Sequence, residues 1–233
     1  MAAEQKFYGE AEFSKGLDGV IACETTSGYV DGQKGMLNYR GYKIESLAEH
    51  STYEETAYLL LFGKLPRKNE LKDFKTKLVS YREIPSGVIE VLKQIPKEAH
   101  PMSQLRTGIS ALGCFDKSAD NMDFDNATEV GIKLIAQVAT VAGAIARIRQ
   151  GKEPIAPVPD LEHTANFLFM ATGERPDEFT ARVMDVSMIL HADHGMNAST
   201  FTSMVVISSL TDMYSAITAG IGSLKGPLHG GAN

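Results

Sequence analysis

Two stretches of this chain bring titratable side chains together with amides and glycines. The first, residues 191–194 (His191-Ala192-Asp193-His194), ends the apolar run 186–190 and passes into Gly195-Met196-Asn197-Ala198-Ser199-Thr200. The spacing of His191 and His194 puts both rings on one helix face, which suits a metal ion, hydrogen bonds within a core, or an anionic substrate. Zinc would need a third ligand, and Asp193 points about 100° away from its neighbours on a helix, so no metal is expected. Asn197, Ser199 and Thr200 suit the cap of a following helix, Asn197 above all. Such a polar junction also leaves backbone amides available to a carboxylate, so it could hold a small organic anion. The second stretch is Gly226-Pro227-Leu228-His229-Gly230-Gly231-Ala232-Asn233. Its glycines remove bulk around the ring and the backbone, and Pro227 restricts the approach. A histidine so placed can serve as acid, base or hydrogen-bond donor. One helical hairpin separates His229 from the first stretch, so it can return there and two histidine clusters can face one pocket.

The elements that must position these groups are mostly helices. Thr52 and Glu55 make a capping box, Ala57, Leu60 and Leu61 keep a helical spacing, and Gly63 and Pro66 end the segment. An amphipathic helix is expected over 68–81, then a short one capped by Ser86 that runs to Pro96. Pro101 suits a first helical turn and opens another helix that ends near Phe115. Asn126 opens a long Ala-rich helix closed by Gly151, and further helices are expected over 160–171, 177–190, 198–210 and 214–224. Residues 22–42, rich in glycine, read as a short hairpin or irregular loops. The fold class expected is all-α, a multi-helix domain with a small irregular or β-hairpin region near residues 20–42. His50, His100 and His163 stand singly and read as caps or surface residues.

Composition narrows the function. The 233 residues are 43% hydrophobic, enough for a sizeable core. The formal net charge of −6 gives no general attraction for nucleic acid. The longest apolar stretch, 134–148, is shorter than the ~20 residues a spanning helix needs. The only cysteines, Cys23 and Cys114, make no disulfide framework, which suits a reducing compartment. The polar start carries no leader pattern, so a cytoplasmic location is expected.

Five blocks carry a family resemblance: Gly16-Leu17-Asp18-Gly19-Val20 with Glu24-Thr25, DGQKGMLNYRGY (31–42), YEETAYLLLFGKLP (53–66), HPMSQLRTGISALG (100–113), and a last one that runs from ILHADHGMNAST (189–200) to GPLHGGAN (226–233). Together they resemble citrate synthases, with the bacterial type and the closely similar 2-methylcitrate synthases nearest. The resemblance implies an almost wholly helical, two-domain, homodimeric enzyme. It condenses acetyl-CoA with oxaloacetate, or propionyl-CoA in the 2-methylcitrate case, and needs no cofactor beyond the acyl-CoA substrate. A thioester methyl is a very weak acid, so its deprotonation calls for a base and for a donor facing the developing enolate oxygen. The resemblance gives the donor's place to His229, a neutral imidazole being suited to it, and has Ser199 bond the other ring nitrogen. It has His194 bind oxaloacetate, with His191 and Asn197 lining or supporting the pocket and the backbones of Leu228 and Gly230 beside the oxoacid. The family's general-base aspartate, a further histidine and its arginine clamp fall beyond Asn233. Residues 1–233 are therefore expected to be the mainly helical large-domain portion, lacking the small domain and closing segment, and inactive alone. A non-catalytic dimerisation module is the alternative, with 130–146 and 202–224 as contact surfaces or as internal packing.

Overall fold

The computed structural model describes residues 19–229; the polar start and Gly230 lie outside them. A three-stranded antiparallel sheet comes first, β1 (Gly28–Asp31), β2 (Met36–Tyr39) and β3 (Tyr42–Lys43), with Gly28 opposite Tyr39 and Asp31 opposite Met36. The Asp31 carboxylate accepts from the N–H groups of Gln33 and Lys34 and so closes the β1–β2 turn. Ten helices follow among the described residues: α1 (Ile44–His50), α2 (Tyr53–Phe62), α3 (Lys68–Ser80), α4 (Ser86–Gln94), α5 (Pro101–Phe115), α6 (Phe124–Arg149), α7 (His163–Thr172), α8 (Glu178–Leu190), α9 (Ala198–Ile207) and α10 (Met213–Leu224). The all-α class and the hairpin near residues 20–42 are as expected.

Most helix ends follow from local chemistry. Thr52 Oγ1 accepts from Glu55 N–H and Glu55 Oε2 accepts from Thr52 N–H, the reciprocal capping box read from the sequence. Asp177, Asn197 and Asp212 cap α8, α9 and α10 in the same way with one side-chain oxygen each. His100 caps α5 through Nδ1. Three expectations are corrected. Ser86 is the first residue of α4 rather than its cap, with Pro85 at the cap position. The helix expected from 160 starts at His163, with Glu162 extended at the cap position and Asp160 in a bidentate pair with Arg175. Helix α1 was unforeseen: its seven residues have no side-chain N-cap and form where Ile44 and Leu47 can bury beside Tyr39, Leu59 and Ile189. Arg182 of α8 completes α1 by donating to the carbonyls of Ala48, Glu49 and Ser51 and to the Asp185 carboxylate.

The core is built around α6. Among its buried residues are Leu134, Ala136, Val141 and Ala144, and α3, α4, α5, α7 and α10 pack on it. With 26 residues it is long and apolar enough to cross a membrane, more than the run 134–148 indicated, but 61% of its most apolar window is buried inside the molecule. The 130–146 stretch is thus internal packing rather than a surface open to a partner. Asp116, just past α5, accepts from Lys133 of α6 at 2.7 Å and from Tyr214 of α10 at 2.6 Å. Burial would raise its pKa, but these bonds and two from Ser118 outweigh that and hold it below the usual carboxylate range.

His163 is a further correction: it is 2% exposed, in the core rather than on the surface. Its backbone N–H donates to the buried Glu54 carboxylate at 2.8 Å and its ring stacks on Tyr53, with centroids 5.3 Å apart. Burial, and secondarily the Arg82 charge, push its pKa from 6.5 down to about 4. The folded state therefore favours the neutral ring while the unfolded chain protonates near 6.5. The stability this contributes is whole above pH 6.5 and is lost as pH falls toward 4, by about 3 kcal/mol across that window. Urea midpoints measured between about pH 7 and pH 4.5 are expected to fall more steeply for the wild type than for His163→Gln; parallel curves would refute the assignment.

Candidate active site

The site is built from two helix ends and a turn. Helix α8 reaches its end with Ile189 fully buried among Tyr39, Leu47 and Leu59, which anchors the last turn. His191 is already the C-cap, with φ −104°, so the chain leaves the helix before His194. The expectation that both rings share one helix face is corrected: both are exposed, on a non-helical junction of residues 191–197. His191 Nδ1 lies 2.7 Å from the Ser187 carbonyl, which can only accept, so Nδ1 carries a proton and Nε2 is left as an acceptor when the ring is neutral. Asn197 ends the junction as the N-cap of α9, Oδ1 accepting from Thr200 N–H at 2.9 Å. Ser199 and Thr200, the other capping candidates, are helical.

His229 comes back to this junction. Helix α10 returns along α9, and Gly220 lies directly against it. A Cβ there would lie 2.5 Å from Ser203 Oγ and 3.3 Å from the Ser199 carbonyl oxygen, so a side chain at 220 would have to displace Ser203 and ease the helices apart. Beyond α10 the chain turns, with His229 N–H donating to the Gly226 carbonyl at 3.1 Å. The His229 ring then meets the start of α9: Nε2 lies 3.3 Å from the Ser199 backbone N and 3.0 Å from Ser199 Oγ. A backbone N–H can only donate, so Nε2 is the acceptor and the neutral ring holds its proton on Nδ1. The Ser199 hydroxyl, 2.7 Å from Asn197 Oδ1, is shared between that oxygen and the ring. Asn197, Ser199 and His229 thus form one connected set.

Other expected residues stand apart from this set. No contact among the described residues joins His191 or His194 to it, the Leu228 side chain is fully exposed, and Gly230 lies outside the described residues. Two contributors went unread in the sequence. The Ser199 amide is one, since a backbone donor leaves no mark on residue type; its position two residues after an N-cap was the available signal. Tyr39 is the other, and its hydroxyl reaches the end of α8.

Residues 16–233 match the family model described as "Citrate synthase, C-terminal domain". The chain belongs to the citrate synthase family. It is 43% identical to the citrate synthase of Deinococcus radiodurans over 96% of this chain and 59% of that protein. It is 41% identical to 2-methylcitrate synthase 1 of Corynebacterium glutamicum over 96% and 60% of the respective chains. Among solved structures, citrate synthase from Pyrobaculum aerophilum aligns with a TM-score of 0.88 at 41% identity, over 93% of this chain and 56% of that one. The Thermoplasma acidophilum enzyme, solved as a ternary complex with carboxymethyl coenzyme A and oxaloacetate, aligns at 0.91 and 33% identity, over 95% of this chain and 58% of that one. The chain therefore spans about 59% of the length of such curated relatives.

The tautomer is directly measurable. Two-bond nitrogen–proton correlation spectra are expected to show His229 protonated at Nδ1 at pH values where the ring is neutral. A His229 ring protonated at Nε2 would remove Ser199 N–H as its donor.

Proposed function

We propose that this protein carries the histidine half of a citrate synthase active site, a transferase site at which an acyl group becomes an alkyl group on transfer. The reaction joins the methyl carbon of acetyl-CoA to the keto carbon of oxaloacetate. The observation supporting this most directly is the engagement of His229 Nε2 by Ser199, which leaves Nδ1–H to donate elsewhere. When a base takes a methyl proton, the electron pair moves onto the thioester oxygen, and a fixed neutral donor stabilises the charge that develops there. His229 is read as that donor and Ser199 as the residue that sets its tautomer. His194 is read as the oxaloacetate ligand, with His191 and Asn197 lining or supporting the pocket and the backbones of Leu228 and Gly230 beside the oxoacid.

A dicarboxylate needs cationic partners and the methyl proton needs a base. The family resemblance assigns both to residues outside 1–233, so a polypeptide of these residues alone is read as inactive. The 2-methylcitrate synthase relative supports propionyl-CoA as a second acyl donor. One extra methylene in a pocket is worth only ~1–3 kcal/mol, so the two substrates are closely matched alternatives.

A homodimer is proposed through the α9–α10 face. Helix α9 is apolar yet buries no residue within its own chain. Val205 is 53% exposed and Leu210, at the end of the same hairpin, 78%. Apolar surface of this kind is what a second copy would cover.

A thiol-release assay on the 233-residue polypeptide is expected to show no turnover, and full turnover would overturn the half-site reading. In a version completed with the family's closing segment, His229→Ala is expected to lower turnover by on the order of 10²–10³, and the ratio of acetyl-CoA to propionyl-CoA turnover identifies the donor. Light scattering is expected to show a dimer that Val205→Glu converts to monomer; a monomeric wild type would refute the interface.

A further inference from the structure

The junction that carries His191 and His194 has no regular structure of its own, yet Tyr39 and Gly28 of the distant hairpin hold it, with Val30 beside them. Tyr39, fully buried on β2, donates its hydroxyl toward the Ile189 carbonyl at 3.0 Å, with the Leu190 carbonyl at 3.2 Å. The same oxygen accepts from the Asp193 backbone N–H at 3.2 Å. Directly across the strand pair from Tyr39 is Gly28. A Cβ on Gly28 would lie 2.2 Å from Asp193 Oδ2, so the Asp193 carboxylate occupies the space any larger residue would need. That oxygen is buried and has no hydrogen-bond partner among the described residues. Two positions along β1, on the same face as Gly28, Val30 Cγ2 lies 3.9 Å from where a Cβ on Gly195 would stand.

The strand register explains why these three act together. Side chains directly opposite in an antiparallel pair share a face, and so do alternate residues along a strand. Gly28, Val30 and Tyr39 therefore present one surface to residues 189–195: a cleft where the glycine is, an apolar edge where the valine is, and a hydroxyl that both donates and accepts. Holding a carboxylate oxygen buried and unpartnered is costly, so an ungripped junction would turn Asp193 out to water. The backbone at 193 sets where the adjoining His194 starts, so releasing its N–H from Tyr39 would free His194 as well.

We propose that the β1–β2 hairpin is a clasp that positions the oxoacid-binding histidine, with Tyr39 and Gly28 as positioning residues that act on His194 through Asp193. The proposal rests on the reading of His194 as the oxaloacetate ligand. Neither residue touches the substrate in this scheme. Their effect falls on the geometry of residues 191–195.

The test combines a readout that needs no ligand, on the 233-residue protein, with a ligand titration on a version completed with the family's closing segment, where the cationic partners of oxaloacetate are read to lie. Amide hydrogen exchange at Asp193 is compared in the wild type, Tyr39→Phe, Gly28→Ala and the control Tyr29→Phe, whose ring is exposed on the same hairpin. Oxaloacetate is then titrated while the His194 ring resonances are followed. Tyr39→Phe is expected to speed exchange at Asp193 roughly tenfold, the loss of about one hydrogen bond, and to weaken oxaloacetate severalfold. Gly28→Ala is expected to do more and Tyr29→Phe nothing; should Gly28→Ala fail to fold, Tyr39→Phe alone decides. Unchanged exchange at Asp193 in Tyr39→Phe overturns the clasp whatever the ligand does. Faster exchange with unchanged oxaloacetate affinity overturns the link to His194. Faster exchange in a protein whose His194 signals never respond to oxaloacetate upholds the grip on the junction and overturns the ligand reading instead.

Discussion

The burial of α6 is the constraint on which the rest of this structure depends. A helix whose apolar and small residues run around most of its circumference cannot rest on a single neighbour; it must be enclosed. The helices α3, α4, α5, α7 and α10 supply that enclosure. Small residues on α6, Ala136 and Ala144 among them, let the surrounding helices come close. Because α10 is held against α5 and α6, with Tyr214 tied through Asp116 to Lys133, its far end is also located. That end carries His229. The core thus places a residue of the site that lies well outside it.

A second constraint acts where helices begin. The first N–H groups of a helix have no carbonyl partner of their own and must find one elsewhere. In α9 the Thr200 amide finds Asn197 Oδ1, and the Ser199 amide finds His229 Nε2. The need that creates an N-cap therefore also orients an imidazole and decides which nitrogen keeps the proton. The Nδ1–H tautomer follows from the needs of a helix start, without a carboxylate partner to the ring among the described residues. The C-terminal end of α8 answers the same need differently, with the Ile189 carbonyl taking the Tyr39 hydroxyl and the Ser187 carbonyl taking His191 Nδ1.

Much of this was legible in the residues themselves. Capping boxes, N-caps and glycine or proline stops act within a few residues, so Thr52 with Glu55, Asp177 and Asn197 announce helix starts wherever the chain goes. Helical periodicity is equally local and outlined most of the helices from α2 to α10, although several starts and ends moved by two or three residues. The five blocks of family resemblance named the candidate residues, and the hairpin spacing was enough to bring His229 back toward the junction that precedes α9.

The tertiary structure alone decided what depends on residues far apart in sequence. His163 reads as a surface histidine until α2 and α7 close over it, and its depressed pKa follows from that burial. Helix α1 is too short to stand alone and has no side-chain N-cap; it exists because Ile44 and Leu47 find a core, and Arg182 its carbonyls. His191 and His194 leave the helix that their spacing suggested because Tyr39, 150 residues before Ile189, helps to end α8 where it does. Local signals specify where elements start, stop and turn an apolar face. Burial, close approach and the partner of each polar group depend on which elements meet, and no neighbouring residue encodes that.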